Sequence, residues 1–358
     1  MKVLFICYPH GPAEKAGYDH QILSIAEGLI ELGIKPYATI DFWKKSLSVG
    51  DYLIKKSENV EMHEFDVVVF SSHIFIYNRL DLLPPGLLTD QRKYKLVFLD
   101  SFFGIITPGF KKSMRSVDFV LKSHFSTKYN YPENFIPWQF GLTNRIINYV
   151  DPLPFDDRDN STLSNFRVRH TVRDYVERKV MNLFYDDYPK NLTTESLVKS
   201  NMTELDLLFW TQTGKRHYPS YYKRLGKSKI VNATGGYFQS SISNSKNPVN
   251  KFLGKLERRV QIFPYDRICQ FDSWRFWEAL ASGCCTLHID FEKYGAKLPI
   301  MPKNGSHYLG IDLDNYRNIK DVLSSKDGIK NIAQRGREWA LKYYSPRAIA
   351  ERFINLIQ

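Results

Sequence analysis

Residues 269–285 read Cys-Gln-Phe-Asp-Ser-Trp-Arg-Phe-Trp-Glu-Ala-Leu-Ala-Ser-Gly-Cys-Cys, and their types and spacing suit anion chemistry. Asp272 or Ser273 fits a helix N-cap, and Gly283 fits the stop of a short helix. Such a helix turns free N–H groups and the positive end of its dipole toward an anion. Arg275, in the first turn, can add a bidentate phosphate contact. Glu278 follows three residues on, near the same face, and a carboxylate there can accept both hydroxyls of a ribose. The set suits a nucleoside diphosphate. The same residues also fit a capped amphipathic helix with an Arg275–Glu278 ion pair.

These groups need elements to hold them. Residues 2–7 form an apolar run, followed by a Gly/Pro loop and a helical repeat of Ile22, Leu23, Ile25, Ala26, Leu29 and Ile30 that stops at Gly33. Further strands are predicted at Lys35–Ile40, Val67–Phe70, Lys95–Asp100 and Phe119–Lys122. Continuous apolar runs of this kind suit strands buried on both faces of a parallel sheet. Strands alternating with helices predict a doubly wound α/β domain over residues 1–150. The Pro- and Asp-rich stretch Asp151–Asp159 reads as a linker or exposed loop. A second α/β series occupies 151–345, with strands expected at Leu207–Trp210, Lys229–Asn232, Arg259–Phe263 and Cys285–Ile289. An amphipathic helix from Pro346 closes the chain at 346–358.

Ser273-x-Arg275-x-x-Glu278-Ala279-Leu280-Ala281-x-Gly283-Cys284 resembles the donor-site signature of GT-B glycosyltransferases. It is similar to the exostosin-like S-x-R-x-x-E pattern and to the E-x7-E element of glycogen-synthase-like members. The resemblance implies two facing Rossmann-like domains across a cleft, with the acceptor in the first and a nucleotide-sugar donor in the second. It implies Glu278 on the donor ribose. Gln270 stands where the family has its first Glu, against the donor sugar, so the stereochemical course stays open. Basic residues after the first strand of the second domain clamp the diphosphate in this family, which points to Lys215 and Arg216. A Lys/Arg pair would offset the charge on the leaving diphosphate without a metal. The nucleoside-diphosphate sugar is then a co-substrate, and no cofactor is expected. The last helix often crosses back to the first domain in such enzymes.

A proton acceptor is needed if the sugar centre inverts, and His or Asp would serve. Ligands of open α/β sheets gather at the carboxyl ends of strands. His73 and Asp100 end two strands of the first domain, and Asp19 and His20 precede its first helix. Asp19, His73 and Asp100 are therefore the catalytic candidates. Asn232–Phe238 sets Gly235-Gly236 after a strand, where a ligand's close approach or a simple turn would explain them. Asp157-Arg158-Asp159 matches the D-x-D of metal-dependent glycosyltransferases but lies in loop-like sequence, so it reads as solvated linker. Arg167, Arg169, His170 and Arg173 read as solvated surface rather than a grip on an anionic acceptor.

Composition bounds the alternatives. The 358 residues are 43% hydrophobic and 25% charged, a globular balance that excludes disordered and fibrous classes. Fifty Lys/Arg against 38 Asp/Glu give a net charge of +12. Residues 1–150 hold 17 and 15, a net +2, so the other 33 and 23 give +10 and draw the anion partner to the second half. Four cysteines lack zinc-site spacing and read as buried reduced thiols. The first apolar run is too short for a secretory signal, and no stretch approaches a membrane span. A cytoplasmic protein is expected, with contact between a basic face and anionic lipid left open. Walker A and Gly-x-Gly-x-x-Gly patterns are absent. The expected partners are a nucleotide sugar and a glycan or other acceptor, with no nucleic acid. Two rivals stand beside this reading: a basic non-enzymatic binder of nucleic acid or anionic polysaccharide, and a nucleotide-sugar epimerase.

Overall fold

Most of the apolar runs become parallel strands in the computed structural model, with helices and turns between them. The structure describes residues 1–7, 19–58, 61–102, 115–166, 171–191, 202–235, 268–269 and 271–358, with positions 104, 107, 110, 248, 249, 252 and 256 in addition. Gln270, Arg167, Arg169 and His170 lie outside the described residues, as do most of the first loop and the strand expected at 259–263.

The first domain is built on β1 (Val3–Ile6), α1 (His20–Glu31), β2 (Pro36–Ala38), a small antiparallel pair β3 (Phe42–Lys44) and β4 (Tyr52–Ile54), β5 (Val67–Ser71), α2 (His73–Ile76), β6 (Lys95–Asp100), β7 (Phe119–Lys122) and β8 (Phe135–Pro137). Six of the strands form one parallel sheet in the order β2-β1-β5-β6-β7-β8. Alternate residues feed opposite faces: Val3, Phe5, Val67 and Val69 join one core, while Leu4, Ile6, Val68 and Phe70 join another. Strand order reverses between β1 and β5, so a switch point opens at their carboxyl ends.

The second domain holds α3 (Asn144–Tyr149), β9 (Asp159–Ser164), α4 (Thr171–Tyr175), β10 (Lys190–Asn191), α5 (Glu204–Gln212), α6 (Pro219–Lys227), β11 (Ser228–Asn232), α7 (Trp274–Ala281), β12 (Cys285–Ile289), β13 (Leu309–Ile311), α8 (Ile319–Ser324) and α9 (Lys326–Tyr344). Its sheet is also parallel, in the order β10-β9-β11-β12-β13, with its switch point between β9 and β11. The last helix, α10 (Pro346–Ile357), lies along α1 and lends Ile349, Ala350, Phe353 and Ile357 to a core of the first sheet.

Three expectations are corrected here. Leu207–Trp210 is helical within α5, because Thr203 and Asp206 form a capping box that starts a helix just before it. The first strand of the second domain is instead β9, which begins inside the stretch read as linker. Only its last three residues are buried, so it lacks an apolar run to announce it. Arg158, read as solvated, is buried and donates to the carbonyls of Ser282 and Gly283 at the end of α7.

The carboxyl ends of the two sheets meet. His20, first in α1, stacks on Trp274, first in α7, with ring centroids 6.0 Å apart. Thr127 N–H donates to the Gly295 carbonyl and Lys297 N–H to that of Phe125. The crossing segment 139–144 is held from both sides. Gln21 donates to the Gln139 carbonyl and Glu27 accepts the Asn144 N–H, while Asp272 of the second domain accepts the Phe140 N–H at 2.5 Å.

Candidate active site

Asp19 and His73 come together at the first switch point. Asp19 caps α1, accepting the Ile22 N–H, and its other oxygen lies 3.2 Å from His73 Nδ1. Burial alone would raise the Asp19 carboxyl, but attraction to His73 and hydrogen bonds from His73, Ser71 and Ile22 hold it below its ordinary value. His73 Nε2 makes no hydrogen bond among the described residues, so the pair presents an imidazole oriented by a carboxylate. His20 is a different kind of histidine. Burial pushes it down to about 3, and the neutral ring's Nε2–H donates to the Gly141 carbonyl at 2.9 Å.

Asp100 is not gathered with them. It is fully buried against an equally buried Lys122, 3.2 Å away, and accepts from Thr107 Oγ1 and the Phe102 N–H. Oδ1 takes both of those bonds, and Oδ2 faces the Lys122 ammonium.

The second switch point gathers cations. Phe166 follows β9, and both the Arg173 and Arg275 guanidiniums lie over its ring, 4.4 and 5.1 Å from the centroid. Arg173 Nε donates to the carbonyl of Thr234, just beyond β11. Burial first, then the charge of Arg275, pushes Arg173 down to about 9. Two guanidiniums this close repel, and a bound anion would offset both. Ser273 takes the N-cap position of α7, yet its side chain makes no capping bond, and its buried Oγ has no hydrogen-bond partner. An unpartnered hydroxyl at a helix N-terminus, two residues before Arg275, is chemistry a phosphate could meet.

Glu278 sits one turn further along α7, buried, and accepts the hydroxyls of Tyr221 at 3.1 Å and Tyr222 at 3.0 Å. The Arg275–Glu278 ion pair does not form among the described residues; Arg275 turns to Phe166 instead. Asp272 is buried and pushed up to about 8, and it accepts the indole N–H of Trp277. Arg216 reaches the site with its guanidinium 4.7 Å over the Trp274 ring. Lys215 is turned to Trp210 by a left-handed backbone at Gly214 and Lys215, φ +59° and +64°. Both follow a helix, not the strand that placed them in the sequence reading.

Phe166, Tyr221 and Tyr222 were not singled out from the sequence, and Arg173 was assigned to open surface. All four reach the site across loops and neighbouring helices, and no spacing rule announces such contacts. Among the described residues no cluster of three His, Cys, Asp or Glu side chains is arranged to hold a metal ion, and no helix is long and apolar enough to cross a membrane.

No family model and no curated protein matches the sequence. Solved structures do. An alpha-glucosyltransferase in complex with UDP-glucose and DNA containing an abasic site superposes with a TM-score of 0.53 at 9% identity, over 99% of this chain and 98% of that one. AviGT4, a glycosyltransferase involved in avilamycin A biosynthesis, gives 0.51 at 12% over 100% and 97%. HepE of Anabaena, in complex with UDP-glucose, gives 0.50 at 11% over 100% and 99%. Near-complete coverage of both chains, with two parallel sheets meeting at their carboxyl ends, identifies the architecture: the chain has the GT-B fold of glycosyltransferases.

Proposed function

We propose that the chain is a glycosyltransferase that moves a sugar from a nucleoside-diphosphate sugar to an acceptor hydroxyl without a metal ion. The observation that carries this is the pair of guanidiniums over Phe166 at the second switch point. Arg173, Arg275 and the Ser273 hydroxyl bind the diphosphate, Arg216 flanks it, and Glu278 receives the ribose. As the acceptor oxygen bonds to the anomeric carbon, the carbon–oxygen bond to the diphosphate breaks and the diphosphate leaves with the electron pair. The arginines stabilise that charge where it develops. The acceptor's proton passes to His73 Nε2, with Asp19 holding the ring. Closure of the two sheet edges keeps out water that would hydrolyse the donor.

For the acceptor, the DNA-bound neighbour sets nucleic acid beside a glycan as a class to test.

The test is thermal denaturation with UDP, GDP, ADP, dTDP and CMP, with and without magnesium. A diphosphate at about 100 times its Kd should stabilise the native state by ~2.7 kcal/mol, selectively and equally without magnesium. Arg275→Ala should abolish the shift while leaving the unliganded midpoint nearly unchanged. A full shift in that variant overturns the site, and no shift with any nucleotide overturns the function.

A further inference from the structure

We infer that Arg145 and Tyr222 are positioning residues that set the Glu278 carboxylate from the hinge between the domains; the inference rests on the donor-site reading above. Glu278, Tyr222, Arg145 and His217 are all buried, so each proton between them must be placed. Arg145 Nη1 lies 2.5 Å from the Tyr222 hydroxyl. A guanidinium only donates, so the Tyr222 oxygen accepts and its single proton is committed to Glu278 Oε1, 3.0 Å away. The same Nη1 lies 3.3 Å from His217 Nδ1, which must therefore accept. His217 Nε2 then carries the proton and donates to Asp206 Oδ1 at 3.3 Å. Burial and the Arg145 charge push His217 down to about 4, in keeping with that neutral tautomer.

The chain of donors runs Arg145 to Tyr222 to Glu278, and it begins on the hinge helix. Asn144, the residue before Arg145, gives its N–H to Glu27 and its side-chain amide to Glu31 of the first domain. Ile146 and Val150 pack into the core of the second. A shift of the hinge moves Arg145, then Tyr222, then the carboxylate that meets the ribose. Tyr221 holds the other oxygen of Glu278 at 3.1 Å, but no hydrogen bond from a guanidinium reaches it among the described residues. The two tyrosines are thus alike in what they touch, but a guanidinium hydrogen-bonds Tyr222, whereas Tyr221 feels only the charge of Arg275. Charge-assisted hydrogen bonds are the stronger kind, so the Tyr222 arm governs.

The experiment is calorimetric titration of whichever of UDP, GDP, ADP and dTDP gives the largest thermal shift. Tyr222→Phe should weaken its binding about tenfold, against less than ~3-fold for Tyr221→Phe. Arg145→Gln should lose about as much as Tyr222→Phe, and the double variant no more than either, because both break one path. Multiplying losses, or a Tyr222→Phe variant that binds like the parent, overturn the relay. The two tyrosine variants keep the test decisive if Arg145→Gln does not fold. Arg275→Ala separates the failures. If it keeps full affinity, or if no diphosphate binds, the donor site is wrong and the relay falls with it. If it loses affinity while Tyr222→Phe does not, the relay alone is wrong.

Discussion

Asp19 and Asp100 are the same residue type at the same edge of the same sheet, placed in opposite circumstances. Asp100 and Lys122 are both fully buried, so removing one charge strands the other. Asp100→Asn should cost about 3–5 kcal/mol of stability, read as a fall in melting temperature. Asp19 pairs with a histidine whose side chain is 15% exposed, so a ligand can meet the ring. Asn is as good an N-cap as Asp, so Asp19→Asn should leave the melting temperature almost unchanged while cutting turnover by about 100-fold or more. Full turnover in that variant removes His73 as the base. The sequence could not separate these two aspartates, because partners such as Lys122 lie on neighbouring strands. Ser273, Arg275 and Glu278 were read together because one helix's period ties their positions. Arg173 and Phe166 escaped that logic: their link to Arg275 runs between β9, α4 and α7.

At the level of elements, most strands of the first domain were legible because strands buried on both faces are apolar at every position, as in Val67–Ser71. The short run at 207–210 was ambiguous for the same reason, since apolar density alone does not distinguish a strand from a buried helix. The polar cap before it carried the decisive signal. Strand β9 went unread because its burial is confined to Thr162, Leu163 and Ser164. The resemblance suggested that the last helix returns to the first domain, but the residues that meet there were not legible. Gly28 lies where α1 meets α10, and a Cβ there would fall 1.9 Å from the Pro346 carbonyl oxygen and 2.7 Å from Ala350 Cβ. Ala in place of Gly ordinarily gains about 1 kcal/mol in a helix. Here the obstacle is backbone, which cannot swing aside, and overpacking costs about 1–3 kcal/mol. Gly28→Ala should therefore lower the melting temperature; a rise would mean that α10 does not sit against α1.

Across the whole molecule, the crossing segment is gripped by two buried carboxyls, Glu27 from one side and Asp272 from the other. Burial pushes both up to about 8, against hydrogen bonds that pull them down. An acid whose folded pKa is raised holds its proton longer in the native state than in the unfolded one. Its stabilising contribution is complete below the unfolded value, 4.5 for Glu and 3.8 for Asp, and is lost as pH climbs toward 8. Each group then costs ~1.4 kcal/mol per pH unit across that window. In urea unfolding, Glu27→Gln should change the pH slope of stability between pH 5 and 8 by about one proton, a window whose lower part the buried neutral His20 and His217 tilt the opposite way. An unchanged slope would show that Glu27 is ionised in the native state. The return of α10 to the first domain also orders events in time. Ile349, Ala350, Phe353 and Ile357 complete a core whose other buried members, apart from Phe209 of α5, precede the second domain. On the ribosome, the first sheet must wait with one face open until the second domain has been made and the last helix emerges. The domain born first is the one finished last, and a chaperone would find its substrate there.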